Sequence, residues 1–410
     1  MGDRGMQQEI AAGIAMALAL IPGLTVVPML LAGTGMDFAG AYTACVLVTI
    51  LATFLWGRAC HRPLAAAPGA ALTSWLVYSV ILSHGHSWQA VLGAVFLSSV
   101  LCLVFLWIFR GTDGGTGVPK HLAESLTAGL GLMLILLGLR QGHVIVSAPV
   151  GFFSMGDFSD PVAFHSMIGI LTAFALAACR VSGAILWGML ITAVISFAEG
   201  FWVLPDAPFL LPTVEKTALQ LDLGSAVELP DIVISLTILN LVLMQGTSLA
   251  LRQKAEPKDA AVLYGTNLFG TLLGAFPLLP AIESAVGHGA GGQTGRTAQT
   301  AAGILGLFLF CEPLLASLAS YGAVTAVPLV LAGGLLLRQA EFNVCEHTSE
   351  FFSACAVCIL LPITQSIAVG FGTGMAFYVF LSVWEGRGKE LSKGTLALTA
   401  VFGVLLFFLS

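Results

Sequence analysis

The sequence predicts an all-α polytopic membrane protein of fourteen spans, arranged as two inverted halves of seven. Three observations predict it. Hydrophobic residues make up 57% of the chain and charged residues 9%, whereas a soluble domain carries about 25% charged residues. Apolar runs of about 20 residues, the length a helix needs to cross a bilayer, recur from residue 9 to residue 384. With the N-terminus inside, all sixteen Lys and Arg residues except Arg140 and Lys216 fall on the inner side, as the positive-inside rule requires. Moving the span count by one in the middle of the chain destroys that bias. An odd number of spans per half forces the halves into opposite orientations.

Charges and Gly/Pro clusters divide the spans. The first half reads 9–32, 39–57, 64–83, 88–109, 122–142, 162–179 and 182–203. A long polar connection, 204–229, separates it from 230–251, 259–278, 281–295, 298–317, 322–338, 348–363 and 364–384. The last apolar run, 394–409, is ambiguous between a fifteenth span and a helix lying on the membrane, and the second is preferred. Residues 1–8 are polar and the first apolar run is too long for a signal-peptide core, so no cleavable leader is expected.

Two spans are too short or too broken to be plain helices, and each is the third of its half. Segment 64–83 opens with Pro63-Leu-Ala-Ala-Ala-Pro-Gly-Ala-Ala-Leu-Thr-Ser74; segment 281–295 holds Glu283 and a chain of glycines. Interrupted segments at matching positions point to a midplane site faced by half-helix N-termini. The plainer reading is that Pro68 and Gly69 only kink a helix. An ionisable group at membrane depth costs several kcal/mol and is kept there chiefly for function. Irregular backbone is tolerated there only where it lines a cavity or packs on protein.

Glu283 can accept two hydrogen bonds from an N–H edge and can carry a proton; it could also simply cap the half helix that follows. Ser284 can donate to ligand acceptors. Thr73 and Ser74 suit the same task, although buried hydroxyls often bond their own helix backbone. Gln245 could read an amide edge without charge, or pack between helices. His288, just over one turn past Glu283, is a second candidate for proton coupling. Trp75 or Tyr78 could stack a base, though both read more simply as core or lipid-facing. Glu199 and Glu312 are read as outer-interface residues, and His84 and His86 as exposed loop residues.

Other chemistries are not supported. The eight cysteines lie mostly within apolar runs and form no disulfide framework. Cys355-Ala-Val-Cys358 has redox spacing but sits in an apolar segment without a His partner set. Gly287-x-Gly289-x-x-Gly292 has dinucleotide-loop spacing without the strand–helix context. No enzyme activity, cofactor, metal or nucleic-acid partner is expected.

Several ordered segments carry a resemblance. Glu9-Ile-Ala-Ala-Gly13, Ala67-Pro-Gly-Ala-Ala-Leu-Thr73, Ser87-Trp-Gln-Ala-Val-Leu-Gly-Ala-Val-Phe96, Ala128-Gly-Leu-Gly-Leu132, Gly138-Leu-Arg-Gln141, Ile282-Glu-Ser-Ala-Val-Gly287, Gly291-Gly-Gln-Thr-Gly-Arg-Thr297 and Leu361-Pro-Ile-Thr-Gln-Ser-Ile367 resemble motifs of the azaguanine-type purine permeases. These form the hypoxanthine/guanine/adenine branch of the nucleobase–cation symporter-2 family. The resemblance implies a core domain from 9–110 and 230–317 (spans 1–4 and 8–11) and a gate domain from 122–203 and 322–384 (spans 5–7 and 12–14). The run 394–409 is an additional C-terminal segment. Spans 3 and 10 would each hold a short strand and a half helix, with substrate between core and gate. Ala71, in the third-span motif, joins the substrate-binding candidates on this basis. The chain also departs from the family. Gln245 or Gly246 stands where an eighth-span Asp is expected, and Thr73 where Asn is typical.

The function expected is uptake of a purine nucleobase or similar small heterocycle by proton symport, through alternating access of core against gate. Its setting is the inner membrane, with a cytoplasmic N-terminus. The alternatives are a small-anion transporter of the related anion-exchanger fold, an uncoupled facilitator and a non-transporting receptor. Glu283 argues against an anion, and the missing eighth-span acid argues mildly for one. Related folds are often dimeric, so a homodimer rests on analogy.

Overall fold

A computed structural model describes residues 3–108, 119–147, 153–179, 181, 184–201, 205, 207–250, 256–281, 283–319, 321–340, 345–364, 367–392, 394–396, 398–400 and 402–403. The chain is mostly helical. Its elements run α1 (Asp3–Ala32), α2 (Phe38–Leu55), β1 (Ala66–Pro68), α3 (Ala70–Trp75), α4 (Trp88–Ile108), α5 (Lys120–Gln141), β2 (Ile145–Ser147), β3 (Phe153–Met155), α6 (Pro161–Ala178) and α7 (Ala184–Ala198). They continue as α8 (Leu223–Val227), α9 (Pro230–Ala250), α10 (Pro257–Leu273), β4 (Leu278–Pro280), α11 (Ser284–Gly289), α12 (Gly295–Phe308), α13 (Glu312–Ala319), α14 (Gly322–Gln339), α15 (Thr348–Thr364) and α16 (Ile367–Trp384). Among the described residues, five helices, 6–32, 38–60, 88–108, 120–141 and 161–178, are each long and apolar enough to cross a membrane.

Two spans carry wider π turns. Helix α2 runs on as Trp56–Cys60 and stops where His61 adopts φ 57°. Helix α3 runs on as Leu76–Leu82. Trp56 is fully buried, and its indole N–H donates to the Asp259 carbonyl at 3.0 Å. The expected single span 298–317 is instead two helices. Helix α12 closes at Phe308, and α13 starts at Glu312. Pro313, in its first turn, cannot donate a backbone hydrogen bond to the preceding turn.

Two packed groups of helices make up the molecule. In one, α1 packs on α2, α11 and α12, while α4 packs on α8, α9 and α10. In the other, α14 lies along α5, α6 and α7, and α15 lies between α5 and α16. Each group contains a helix crossing where glycine lets backbones touch. A Cβ on Gly295 would lie 2.0 Å from the Gly57 carbonyl oxygen, and one on Gly333 2.4 Å from that of Gly131. In the described part of the C-terminal apolar run, Phe402 is buried and meets the Phe371 ring edge-on at 5.5 Å.

The polar connection between the halves is a packed strap. Leu210 N–H donates to Phe310 O at 3.1 Å, Leu219 N–H to Leu272 O at 2.7 Å and Asp222 N–H to Gln89 O at 3.0 Å. Thr217 is buried and donates to Leu273 O at 3.0 Å. Lys216, outside the inner-side majority in the sequence reading, pairs with Asp37 at 2.8 Å, and Asp37 also caps α2 by accepting from Gly40 N.

The Lys216 ammonium and the Gly40 N–H hold the Asp37 carboxyl below its ordinary value, against the opposing effect of partial burial. A depressed carboxylate pKa stabilises the fold above the unfolded-state value of about 3.9 and is lost as pH falls through the folded-state value. Asp37→Asn therefore lowers the thermal unfolding temperature at neutral pH. Melting curves across a pH series should show its difference from wild type shrinking as pH falls below about 4.

Candidate functional site

Strands β1 and β4 meet as an antiparallel pair with Ala66 opposite Pro280, Ala67 opposite Leu279 and Pro68 opposite Leu278. The sequence explains the geometry. Ala67 and Leu279 each precede a proline, and the residue before proline is pushed into the extended region. Prolines at 63, 68, 277 and 280 also bar a continuous helix through either segment. The pairing extends past the strands: Ala281 N–H donates to Ala65 O at 2.8 Å and Gly69 N–H to Pro277 O at 3.2 Å. From this crossing α3 departs at Ala70 and α11 at Ser284.

Beside the crossing lies a cavity of about 120 Å³. One wall comes from α1 (Leu20, Gly23, Val26), from Ala67 to Ala70, and from Leu279 to Ala281 together with Glu283. The remaining lining comes from α9 (Leu243), α5 (Leu130, Leu134), α7 (Ile185) and the α14 residues Pro328, Leu329, Leu335 and Leu336. Glu283 is the one ionisable side chain in this lining among the described residues. It occupies the N-cap position of α11, yet its side chain makes no capping hydrogen bond. The capping role considered from the sequence is therefore absent, and the carboxylate borders the cavity.

The other candidates fall differently. Ser284 is fully buried, and its Oγ accepts from Ala65 N–H at 2.9 Å, so the hydroxyl ties α11 to the approach of β1. Thr73 is fully buried, with no hydrogen-bond partner for its hydroxyl among the described residues. Ser74 donates to Ala70 O at 2.7 Å, a bond within its own helix. Ala71 lies in α3, and Gln245 and Gly246 lie in α9, but their side chains lie outside the described residues. His288 Nδ1 meets Ser284 O at 2.8 Å and so closes the turn of α11. Trp75 and Tyr78 pack into the hydrophobic core and do not line the cavity.

Peripheral residues are also ordered. Glu199 meets the buried His165 at 3.0 Å, and His165 also contacts the Tyr321 hydroxyl at 2.9 Å. His84 is exposed, His86 is partly buried, and their rings stack on one another.

Three residues that position the site escaped the sequence reading. Thr53 on α2 accepts from Ala66 N–H at 3.2 Å. Asn267 on α10 donates to Leu278 O at 3.0 Å and accepts from Leu278 N–H at 2.9 Å. Glu9 is buried and accepts from Gln293 N, Thr294 N and the Thr297 hydroxyl, where α12 begins. Polarity inside apolar spans was the available signal, and it marks a residue without naming its partner.

The chain is similar over nearly its whole length to proteins named as permeases. It is 30% identical to a permease of Methanocaldococcus jannaschii, covering 99% of this chain and 96% of that protein. It is 27% identical to the guanine/hypoxanthine permease PbuO of Bacillus subtilis, covering 98% of each. It is 24% identical to the adenine permease AdeP of Escherichia coli, covering 98% and 93%. No family model matches the chain. Among solved structures, the membrane domain of the cyanobacterial bicarbonate transporter BicA superposes with a TM-score of 0.67 at 15% identity, over 90% of this chain and 97% of that one. SLC26A9 superposes with a TM-score of 0.68 at 11% identity, over 92% of this chain and 65% of that one. At these identities the likeness is one of fold.

Ser284→Ala should lower stability even without ligand. It strands the buried Ala65 N–H, a loss of about 1–3 kcal/mol. Thermal unfolding in detergent reads it; an unchanged melting temperature would mean that the hydroxyl is reserved for ligand.

Proposed function

The chain belongs to the azaguanine-type (hypoxanthine/guanine/adenine) branch of the nucleobase–cation symporter-2 family as a divergent member, and on that premise we propose that it takes up a purine nucleobase by proton symport. It is a transmembrane permease and not an enzyme. The observation that carries the proposal is Glu283, which makes no capping hydrogen bond and is, among the described residues, the one ionisable residue lining the cavity at the β1–β4 crossing.

The chemistry follows from that setting. A carboxylate offers two acceptor oxygens, which suit the N–H groups on the edge of a purine. Leucine, proline and alanine walls suit its ring faces. An uncompensated charge at membrane depth costs several kcal/mol, so Glu283 crosses with a proton, with donor N–H groups, or with both in turn. Residues 232–251 contain no acid, and His288 is engaged by Ser284 O. Glu283 is therefore the first candidate for coupling and His288 the second.

The proposed motion has a geometric motive. A cavity of about 120 Å³ is close to the ~150 Å³ apolar cavity that accommodates benzene in an engineered protein. A two-ring purine needs more room, which α5, α7 and α14 supply by drawing away from β1, α3 and α11. On this reading 9–110 and 230–317 act as core, 122–203 and 322–384 as gate, and fourteen spans form two inverted repeats of seven. The basic-residue bias supports a cytoplasmic N-terminus in the inner membrane. A homodimer is supported only by analogy with related folds. The small-anion alternative is not favoured, because relatives that match along nearly the whole chain, PbuO and AdeP among them, are named purine permeases.

Uptake by vesicles of radiolabelled purines, pyrimidines and small oxyanions, with and without an uncoupler, tests the reading. Guanine or hypoxanthine should accumulate and the uncoupler should abolish accumulation. Glu283→Gln should lower uptake at least about tenfold, the weight of a charge-assisted hydrogen bond. Oxyanion uptake that persists in Glu283→Gln, with no nucleobase transported, sinks the proposal.

A further inference from the structure

Strand β4 has two edges. One pairs with β1; the other faces α10 and would leave the Leu278 N–H and C=O without partners. At membrane depth no water satisfies such groups. Asn267 fills the place. Its amide oxygen accepts from Leu278 N–H at 2.9 Å and its amide nitrogen donates to Leu278 O at 3.0 Å, the two bonds an adjacent strand would make. The side chain is 2% exposed, and no cavity-lining residue belongs to α10. Asn267 therefore does not reach the cavity.

The first half solves the same problem differently. Thr53 lies on the helix before β1, as Asn267 lies on the helix before β4, and it makes one bond, from Ala66 N–H at 3.2 Å. The strand gripped at both backbone groups is thus the one that leads, through Pro280 and Ala281, to Glu283. Ser284 and Ala281 tie the far end of that stretch to Ala65. The run 278–284 is held at both ends, with the carboxylate-bearing residue just inside the second tie.

We propose that Asn267 is a positioning residue for the transport site: by clamping both backbone groups of Leu278 it fixes the strand that aims the Glu283 carboxylate at the cavity. The inference rests on the reading of Glu283 as the ligand-binding group. It assigns Asn267 a role in affinity without contact with the ligand.

Asn267→Thr, which copies the one-bond arrangement of the first half, tests it in the full-length protein. Two readouts are taken. In vesicles, KM for radiolabelled guanine should rise about tenfold, because a displaced binding group loses alignment. In detergent-purified protein confirmed monodisperse, a hydrophobic carbodiimide is followed by mass spectrometry. Its rate of labelling Glu283 should change several-fold, while that of Glu312, on α13 and away from the clamp, should not. A structural role alone predicts a lower melting temperature with KM and the Glu283 labelling rate both unchanged, and that result overturns the proposal. If wild-type vesicles take up no purine, the cargo assigned above is wrong, and the labelling rate alone decides whether Asn267 positions Glu283.

Discussion

Two segments interrupt their helices at the β1–β4 crossing, and the fold is built around satisfying the backbone groups they release. Hydrocarbon offers no hydrogen bonds, so each freed N–H and C=O must find a protein partner. The β1–β4 pair supplies the first set. Side chains supply the rest: Ser284 for Ala65, Thr53 for Ala66 and Asn267 for Leu278. Each of these bonds crosses between elements. The crossing consequently fixes α2, α10, α3 and α11 relative to one another and sets where the cavity opens.

That constraint explains why the cavity holds so little polar chemistry. Ser284, Thr53 and Asn267 take up backbone groups at the crossing, and Ser74 and His288 each contact a backbone carbonyl of their own helix. Among the described residues, Glu283 is the one ionisable residue in a lining that is otherwise aliphatic. On the proposed function, selectivity depends on where Glu283 points and on how closely α5 and α14 approach it. The strap from 207 to 222 bears on this from outside, since it binds the ends of α2, α4, α10 and α12 into one unit through Lys216, Leu219, Asp222 and Leu210.

Much of this was legible in the sequence, for identifiable reasons. Apolar length marked a largely helical membrane protein, and Pro68-Gly69 marked a break in the first half. The second extended segment was misplaced, since the span expected over 259–278 stops at Leu273 and Leu278–Pro280 is a strand, in which proline pushes Leu279 into the extended region. Glu283 stood out as an acid in an apolar stretch. What was not legible depended on distance. Ser284 reads as a ligand donor until Ala65, far off in the chain, is seen to use its oxygen. Asn267 reads as one more polar residue in a span until β4 folds back against it. The break between α12 and α13 falls in Leu309-Phe310-Cys311, and Pro313 just beyond it was the available signal. The strap reads as a loose polar linker because its ties are largely backbone bonds, which side-chain identity does not announce.

The central claim is that a purine binds at the strand crossing against Glu283. An experimental structure of the purified protein with guanine bound tests it most directly. The account predicts a planar ligand between the crossing and α14, with purine N–H groups within hydrogen-bond distance of the Glu283 carboxylate. It also predicts a wider separation of α5 and α14 from α3 and α11. Guanine bound elsewhere, or seated in the cavity with Glu283 turned away from it, would contradict the account.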